Sequence, residues 1–351
     1  MQHHDVVVAG LGPVGAVLAS RLTAAGMSVL VVERSPSPYP MPRAIAADDE
    51  VQELLARTVP GAVDGMLHDQ DVRFVSGSRE LGRIRFPARD GWCGLAFFHQ
   101  PSLEVALRAA LTCPVRLGAE VTGLQQDGTG VTVSLGSSER VRASWLVGCD
   151  GAASTVRRLA GIAWHGRDLP QRWLVVDTVG SYRDGFTYTC DPAMPSVDMP
   201  MPGGHRWEFL LRPGAEPPAV PLPVVRSVEY AFGARRAASW SNGRVLLAGD
   251  AAHTMPPFAG QGLGAGIRDA WALGVLLPAG RVSDYEPLRA PHVREMTRLS
   301  LLVGSVLQAR HGAFLRDALL AGAFRAPGLG PWLARGGPRR PDSGVLELRA
   351  P

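Results

Sequence analysis

A glycine-rich segment near the start of the chain, Gly10-Leu-Gly-Pro-Val-Gly15, most constrains the fold. It follows an apolar run, residues 5–9, of the kind found in strands buried in parallel sheets, and it precedes a helical pattern that ends at Gly26. A second apolar run, residues 28–32, leads to Glu33. Together these features predict a β-α-β unit. Its glycines allow a tight turn, close approach of the backbone to a pyrophosphate and close packing of helix on strand.

This unit predicts a dinucleotide-binding site rather than a purely structural turn. The N-terminus of the helix stabilises negative charge, and Glu33 can accept hydrogen bonds from a ribose hydroxyl. The motif alone leaves open whether FAD or NAD binds. The candidate residues in this unit are Gly10, Gly12, Pro13, Val14, Gly15, Glu33 and Arg34.

A second motif begins at the apolar run Val245–Ala248, which delivers Gly249 and Asp250 at its carboxyl end. Ligands bind at such strand ends in open α/β sheets. The following Gly-Gln-Gly-Leu-Gly segment opens a helix whose free N–H groups can hold an anion, and the Asp could hydrogen-bond a polyol. His253 in the same stretch is either a catalytic base or a helix-packing residue, and packing is favoured. The further candidates here are Pro257, Gly260, Gln261, Gly262 and Leu263.

Other patterns predict a second domain. Residues 71–86 alternate like short antiparallel strands, and 171–211 hold several strands broken by Pro and Gly, before a Pro-rich stretch at 212–223. The expected fold is α/β + β, with a Rossmann-like FAD- or NAD-binding domain and an antiparallel-sheet substrate domain. The predicted ranges are 1–70, 90–170 and 225–290 for the first domain, 71–89 and 171–224 for a shortened second domain, and 291–351 for a C-terminal helical segment with a Gly/Pro/Arg-rich tail.

Composition narrows the class of protein. The 351 residues are 46% hydrophobic and 19% charged, which suits one or two packed cores. The net charge of +4 comes from dispersed arginines, since the chain has no Lys, and nucleic-acid binding is not favoured. No apolar run reaches the roughly 18 residues of a membrane span, and no signal peptide is evident, so we expect a cytoplasmic protein without a membrane partner. The four cysteines (Cys93, Cys113, Cys149, Cys190) are far apart and predict neither a metal site nor a disulfide framework.

A third motif joins the other two: Asp150-Gly151, followed by Ser154 and Arg157-Arg158. Alone, Asp150-Gly151 is an ordinary turn. In this order the three motifs resemble the signatures of the class A FAD-dependent aromatic hydroxylases, which have the para-hydroxybenzoate hydroxylase fold. The resemblance covers residues 5 to about 310. Within this group, the chain most resembles the 3-(3-hydroxyphenyl)propionate hydroxylase-like and polyketide hydroxylases. The residues that carry this resemblance are 42–44, 49–50, 98–101 and 172–177.

The resemblance implies non-covalent FAD, reduced by NAD(P)H as co-substrate. It also implies oxygen transfer from a flavin C4a-hydroperoxide to a phenolic or polyketide-like aromatic substrate. It assigns no catalytic side chain. The implied cofactor contacts are Glu33 on the adenosine ribose, Arg43 near the pyrophosphate and mobile flavin, Gln100 at the ribityl region, Val121 at the adenine, Asp150 in a segment shared with the nicotinamide nucleotide, Asp250 on the ribityl hydroxyls, and Pro257 with Gly260–Leu263 at the isoalloxazine edge.

Several alternatives stay open. The segment between Asp177 and Gly249 is short for this group, and its C-terminal thioredoxin-like domain is not expected here. A second hypothesis is therefore an FAD-retaining protein that binds or cyclises a substrate without oxygen transfer; a nonfunctional relative is least favoured because no cofactor motif is broken. Asp177 either faces the active site or pairs with Arg172. Arg43 by itself could be a solvated loop residue. Core positions are favoured over substrate clamps for Trp173, Trp207 and Phe258, and a homodimer is compatible with this interpretation.

Overall fold

A mostly parallel eight-stranded sheet carries the first predicted unit, in a computed structural model that describes residues 3–68, 70–335 and 343–348. Its strands are β1 (His3–Ala9), β2 (Val29–Glu33), β7 (Val115–Leu117), β8 (Val121–Asp127), β9 (Gly130–Leu135), β10 (Glu139–Gly148), β16 (Ser241–Asn242) and β17 (Val245–Leu247). The order is β16-β17-β10-β1-β2-β7, and the β8–β9 hairpin pairs antiparallel with β10. The predicted return of residues 245–248 to the first sheet is confirmed, since β17 runs parallel to β10.

The β-α-β unit forms as predicted. In β1 the side chains of Val6, Val7 and Val8 are fully buried, because both faces of this central strand are covered. The strand runs parallel to β2, and the two are joined by helix α1 (Pro13–Ala24). Proline suits the first position of a helix because the N–H that it lacks would have no partner there.

The described residues form seven further α-helices: α2 (Asp49–Thr58), α3 (Gln100–Ala109), α4 (Thr155–Leu159), α5 (Gly262–Leu276), α6 (Tyr285–Leu307), α7 (Ala313–Arg325) and α8 (Leu329–Ala334). Helix α2 has an acidic N-cap, since the carboxylate of Asp48 accepts a hydrogen bond from the amide of Val51. Helix α8 lies in the predicted Gly/Pro/Arg-rich tail, of which residues 336–342 and 349–351 lie outside the described residues. No helix in the described ranges is both long and apolar enough to cross a bilayer.

The second sheet also has eight strands, in the order β18-β15-β11-β14-β13-β12-β4-β5. They are β4 (Asp71–Ser76), β5 (Arg79–Arg85), β11 (Trp164–Val179), β12 (Phe186–Thr189), β13 (Ser196–Met201), β14 (Gly204–Leu211), β15 (Val224–Ala237) and β18 (His253–Thr254). The sheet is antiparallel as predicted except for one parallel pair, β4 with β12. This pairing joins segments more than a hundred residues apart, so local alternation could not reveal it. A separate small pair, β3 (Ala46–Asp48) with β6 (Leu95–Phe97), is antiparallel.

Two long strands cross the predicted domain boundaries. β11 starts at Trp164, within the range assigned to the first domain, and β15 runs through 224–237, most of which was also assigned there. The two strands pair along nearly their whole lengths, with a bulge between Asp168 and Arg172. The second sheet therefore includes residues that were predicted to belong to the first domain. The sequence motifs do not mark where these strands begin and end.

Candidate functional site

One cavity of about 990 Å³ lies between the carboxyl ends of the parallel strands and one face of the second sheet. Gly12 and Asp150 line it from the first side, and Trp173 and Glu208 line it from the second. Fifteen of the eighteen predicted site residues lie on its wall: Gly10, Gly12, Pro13, Val14, Glu33, Arg34, Arg43, Gln100, Val121, Asp150, Asp250, Pro257, Gly260, Gly262 and Leu263. The other three, Gly15, Gly249 and Gln261, are not among its lining residues.

The three glycines of the first motif have different surroundings. A Cβ at Gly10 would collide with the carbonyl of Cys149, and one at Gly15 would collide with the carbonyl of Gly10. These two glycines let the turn, the helix and the strand pack together. A Cβ at Gly12 would meet nothing within 4 Å, and the φ of −75° there suits any residue. Gly12 therefore leaves the cavity open beside the N-terminus of α1.

Glu33 ties this turn to the end of β2. Its Oε2 accepts a hydrogen bond from the amide of Leu11 at 2.7 Å, and its Oε1 accepts one from the amide of Ser35 at 2.8 Å. A carboxylate has about four acceptor sites, so Glu33 keeps capacity for ligand hydroxyls while its position is held by the backbone.

Asp150 has one structural oxygen and one orphaned oxygen. Its Oδ2 accepts hydrogen bonds from the amides of Thr155 and Val156, at 2.7 and 3.0 Å, at the start of α4. Its Oδ1 is buried without a hydrogen-bond partner among the described residues. Oδ2 therefore stabilises the turn, as the structural interpretation predicts. Oδ1 is an unsatisfied acceptor, as expected of an atom that binds a ligand.

Asp250 stands after β17 with its side chain exposed to the cavity. The surrounding protein removes water that would stabilise the charge and so raises the pKa of this carboxyl, although His253 and Arg43 oppose the shift. A Cβ at Gly262, the first residue of α5, would meet nothing within 4 Å. The free amides of the α5 N-terminus thus adjoin open space in the cavity.

Gly249, Gln261 and His253 support this loop from behind. The amide of Gly249 donates to Asp269 at 3.1 Å, and His253 Nε2 lies 2.6 Å from the same carboxylate. Gln261 is buried, with its amide bonded to Asp48 and its oxygen to Arg268. His253 is 1% exposed and is not among the lining residues of the cavity, which favours the packing interpretation.

The loop that carries Arg43 is held from two sides. Gln100 Oε1 accepts hydrogen bonds from the amides of Arg43 and Ala44, at 2.9 and 2.8 Å. On the other side the guanidinium of Arg206 donates to the carbonyls of Pro42 and Arg43, at 2.6 and 2.9 Å. The Arg43 side chain itself is exposed and stacks 4.7 Å from the Tyr39 ring centroid.

Asp177 matches neither sequence alternative. It is buried and binds Arg206 Nε at 2.6 Å and Arg226 Nη1 at 3.1 Å, whereas Arg172 lies 3.8 Å from Glu229. Asp177 is aligned with Arg206 on β14 and with Arg226 on β15. These cross-strand neighbours could not be found without the sheet register.

The second-sheet side of the cavity is largely aromatic and aliphatic. Trp173 and Phe258 are 3% and 9% exposed and line it, so they belong to both core and wall, whereas Trp207 packs with Val176 and Phe209 as predicted for a core residue. The hydroxyl of Tyr188 donates to the carbonyl of Phe258 at 2.6 Å. No sequence motif marks the wall residues Tyr188, Arg206, Glu208, Tyr230 and Phe232. The one sequence signal at these positions is the alternation of polar residues, Arg206 and Glu208, in β14.

Comparison with known proteins agrees with this architecture. The family described as FAD binding domain matches residues 3–194 and 209–298. A 3-(3-hydroxy-phenyl)propionate/3-hydroxycinnamic acid hydroxylase of Mycobacterium sp. (strain JLS) is 37% identical over 93% of this chain and 64% of its own length. A probable NADH-specific resorcinol 4-hydroxylase of Rhodococcus jostii (strain RHA1) is 35% identical over 92% of this chain and 69% of its own length.

Among solved structures, aklavinone-11 hydroxylase in complex with FAD and aklavinone is similar, with a TM-score of 0.76 and 27% identity over 90% of this chain and 71% of that chain. The chain spans about 64% of the length of the Mycobacterium hydroxylase that it matches. The matched family covers most of the chain, including every motif that lines the cavity. The protein therefore belongs to the FAD binding domain family.

Proposed function

We propose that the protein is an FAD-dependent monooxygenase that uses NAD(P)H and O₂ to hydroxylate a phenolic or polyketide-like aromatic compound. The observation that carries this proposal is a cavity that joins the open glycine turn of the first sheet to the aromatic face of the second. The names of the relatives, all hydroxylases of aromatic compounds, support the same reaction class.

The residues present fit FAD. The open space at Gly12 and the α1 N-terminus suit the pyrophosphate, and the orphaned Oδ1 of Asp150 suits a donor on the ligand. Glu33 would hold the adenosine ribose and Asp250 the ribityl hydroxyls, while the backbone near Val121 would meet the adenine. Arg43, Gln100, Asp150, Pro257 and Gly260–Leu263 would make the cofactor contacts that the family resemblance implies. When bound and reduced, FAD supplies the electrons that activate O₂.

On the substrate side, this chain's residues orient the ring and exclude water. Trp173, Phe232 and Phe258 form apolar walls on which an aromatic ring can stack. Burial raises the pKa of the Tyr188 hydroxyl, whose proton is committed to the carbonyl of Phe258. That bond holds the loop before α5 against the second sheet, so cofactor loop and substrate wall keep a fixed distance.

Purified protein loaded with FAD tests the proposal. We expect NADH oxidation to rise several-fold when a phenol such as resorcinol is added, and a product that carries oxygen from isotope-labelled O₂. NADPH is run in parallel to determine the preferred nucleotide. Flavin binding without phenol-stimulated oxidation would instead favour a protein that binds or cyclises its substrate without oxygen transfer. The cytoplasmic location and the homodimer stay predictions from the sequence.

A further inference from the structure

Glu208 is a carboxylate placed in the apolar part of the cavity wall. It lies on β14, directly opposite Val175 of β11 and Val197 of β13, and all three side chains line the cavity. Its side chain is 14% exposed, and its nearest charged partner, Arg206 Nη1, is 3.8 Å away, beyond hydrogen-bond distance. Burial raises the pKa of this carboxyl, which shows that the wall disfavours a charge left without a donor.

Most of the hydrogen-bond donors of Arg206 are already occupied. A guanidinium has five N–H donors. Four of those of Arg206 are used by the two oxygens of Asp177 and by the carbonyls of Pro42 and Arg43. The fifth is on Nη1, the atom nearest Glu208.

The charges of this cluster also balance without an anionic ligand. Two arginines, Arg206 and Arg226, face two carboxylates, Asp177 and Glu208, so the cluster is neutral only when Glu208 is ionised. Besides Arg206, the arginines that line the cavity are Arg34 and Arg43 at the cofactor end, Arg108 paired with Glu104, and Arg235 paired with Asp168.

We infer that Glu208 determines substrate class: its carboxylate accepts a hydrogen bond from a hydroxyl of a neutral aromatic substrate and disfavours aromatic carboxylates. The inference rests on the proposed function and names the substrate class of the same cavity. A carboxylate brought beside Glu208 would place two like charges in a part of the wall whose nearest described arginine, Arg206, is already paired with Asp177, whereas a phenolic hydroxyl supplies the missing donor. The preferred substrate thus differs in charge from the propionate in the name of the Mycobacterium relative.

The test compares two ligands of nearly equal shape, 3-(3-hydroxyphenyl)propionate and its primary amide. Their binding to the FAD-loaded protein is measured by isothermal titration calorimetry, without NAD(P)H. In the wild type we expect the amide to bind at least about tenfold more tightly than the acid, in line with a buried like-charge pair. Glu208→Gln, which removes the charge but keeps the shape, should narrow the difference to less than about threefold. Glu216→Gln, at an exposed position of the Pro-rich stretch, should leave the difference unchanged.

Equal or tighter binding of the acid to the wild type contradicts the inference. A preference for the amide that persists in Glu208→Gln also contradicts it. If that variant does not fold, Glu208→Asp provides the second measurement, since it keeps the charge and should keep the preference for the amide. Phenol-stimulated NADH oxidation with the acid as good a substrate as the amide would reject the inference and leave the proposed function intact. A protein that binds no phenol of either kind would reject both.

Discussion

The two ends of the cavity are built in different ways. At the cofactor end much of the wall comes from short segments that carry glycines or helix N-termini: the turn at Gly12, the start of α1 and the start of α5. At the substrate end it consists of side chains from β11–β15, such as Trp173 and Glu208, which meet only because the strands pair in one register. Backbone geometry needs particular residues at particular spacings and so leaves a motif, whereas a wall of cross-strand neighbours leaves almost none.

Gly12→Val should have the largest effect on FAD binding at the cofactor end of the cavity. The added side chain enters open space, so the protein should fold, but it should occupy the position where the pyrophosphate approaches the backbone. We expect the FAD dissociation constant, measured by flavin fluorescence, to rise more than about 100-fold with little change in the melting temperature of the apoprotein. Gly15→Val is the contrasting variant and should fail to fold, because its Cβ would strike the Gly10 carbonyl. Full flavin content in a folded Gly12→Val protein would reduce the first motif to a structural turn.

Asp250→Ala tests whether a side chain contributes to FAD binding at the cofactor end. The loss of hydrogen bonds to the ribityl chain should weaken FAD binding by about 10- to 100-fold, since bonds to a charged group contribute about 1.5–3 kcal/mol. The same titration on Asp64→Ala, an exposed position outside the cavity lining, provides the control. An unchanged dissociation constant for Asp250→Ala would remove this residue from the cofactor site.

Arg43 lies in a loop between the cofactor end and the substrate end of the cavity, and its substitution tests the role of that loop. Its backbone is held by Gln100 and Arg206, while its side chain is exposed beside Tyr39 and free to follow a moving ligand. Arg43→Ala should slow flavin reduction by NAD(P)H about tenfold in stopped-flow experiments at saturating FAD, and should weaken FAD binding less. Arg43→Lys should recover only part of the rate, because an ammonium lacks the planar two-pronged geometry. Arg172→Ala, on exposed β11 surface, should reduce at the wild-type rate; an equal rate in Arg43→Ala would leave Arg43 a solvated loop residue.

The smallest expected effect is on the pH dependence of stability, and it comes from His292, which is buried beside Arg289. Burial, with Arg289 and Arg268 nearby, lowers the pKa of His292 to about 3. Between pH 6.5 and pH 3 the unfolded chain therefore binds a proton that the folded protein does not, and stability falls as the pH falls. From pH 7 to pH 6 this one group should lower the free energy of unfolding by about 0.7 kcal/mol.

Urea unfolding at both pH values checks this. His292→Gln should lose that part of the pH dependence, whereas His165→Gln, at an exposed position, should retain it. An identical pH dependence in wild type and His292→Gln would show that His292 does not titrate differently in the two states.

The sequence by itself determined the first sheet, its cofactor motifs and the presence of a second sheet. Buried parallel strands such as β1 appear as continuous apolar runs, and a glycine turn that leads into a helix has a fixed spacing. It also indicated the core position of Trp207, because such residues are often buried, and the packing role of His253, from its place in the second motif.

Only the tertiary structure decided which side chains meet. The partners of Asp177, the parallel pairing of β4 with β12 and the extension of β15 into the second sheet all depend on strand register. Register is set by packing between segments far apart in the chain, which no local pattern encodes. For the same reason Glu208 became visible as a substrate-facing residue only when its place between Val175 and Val197 was known.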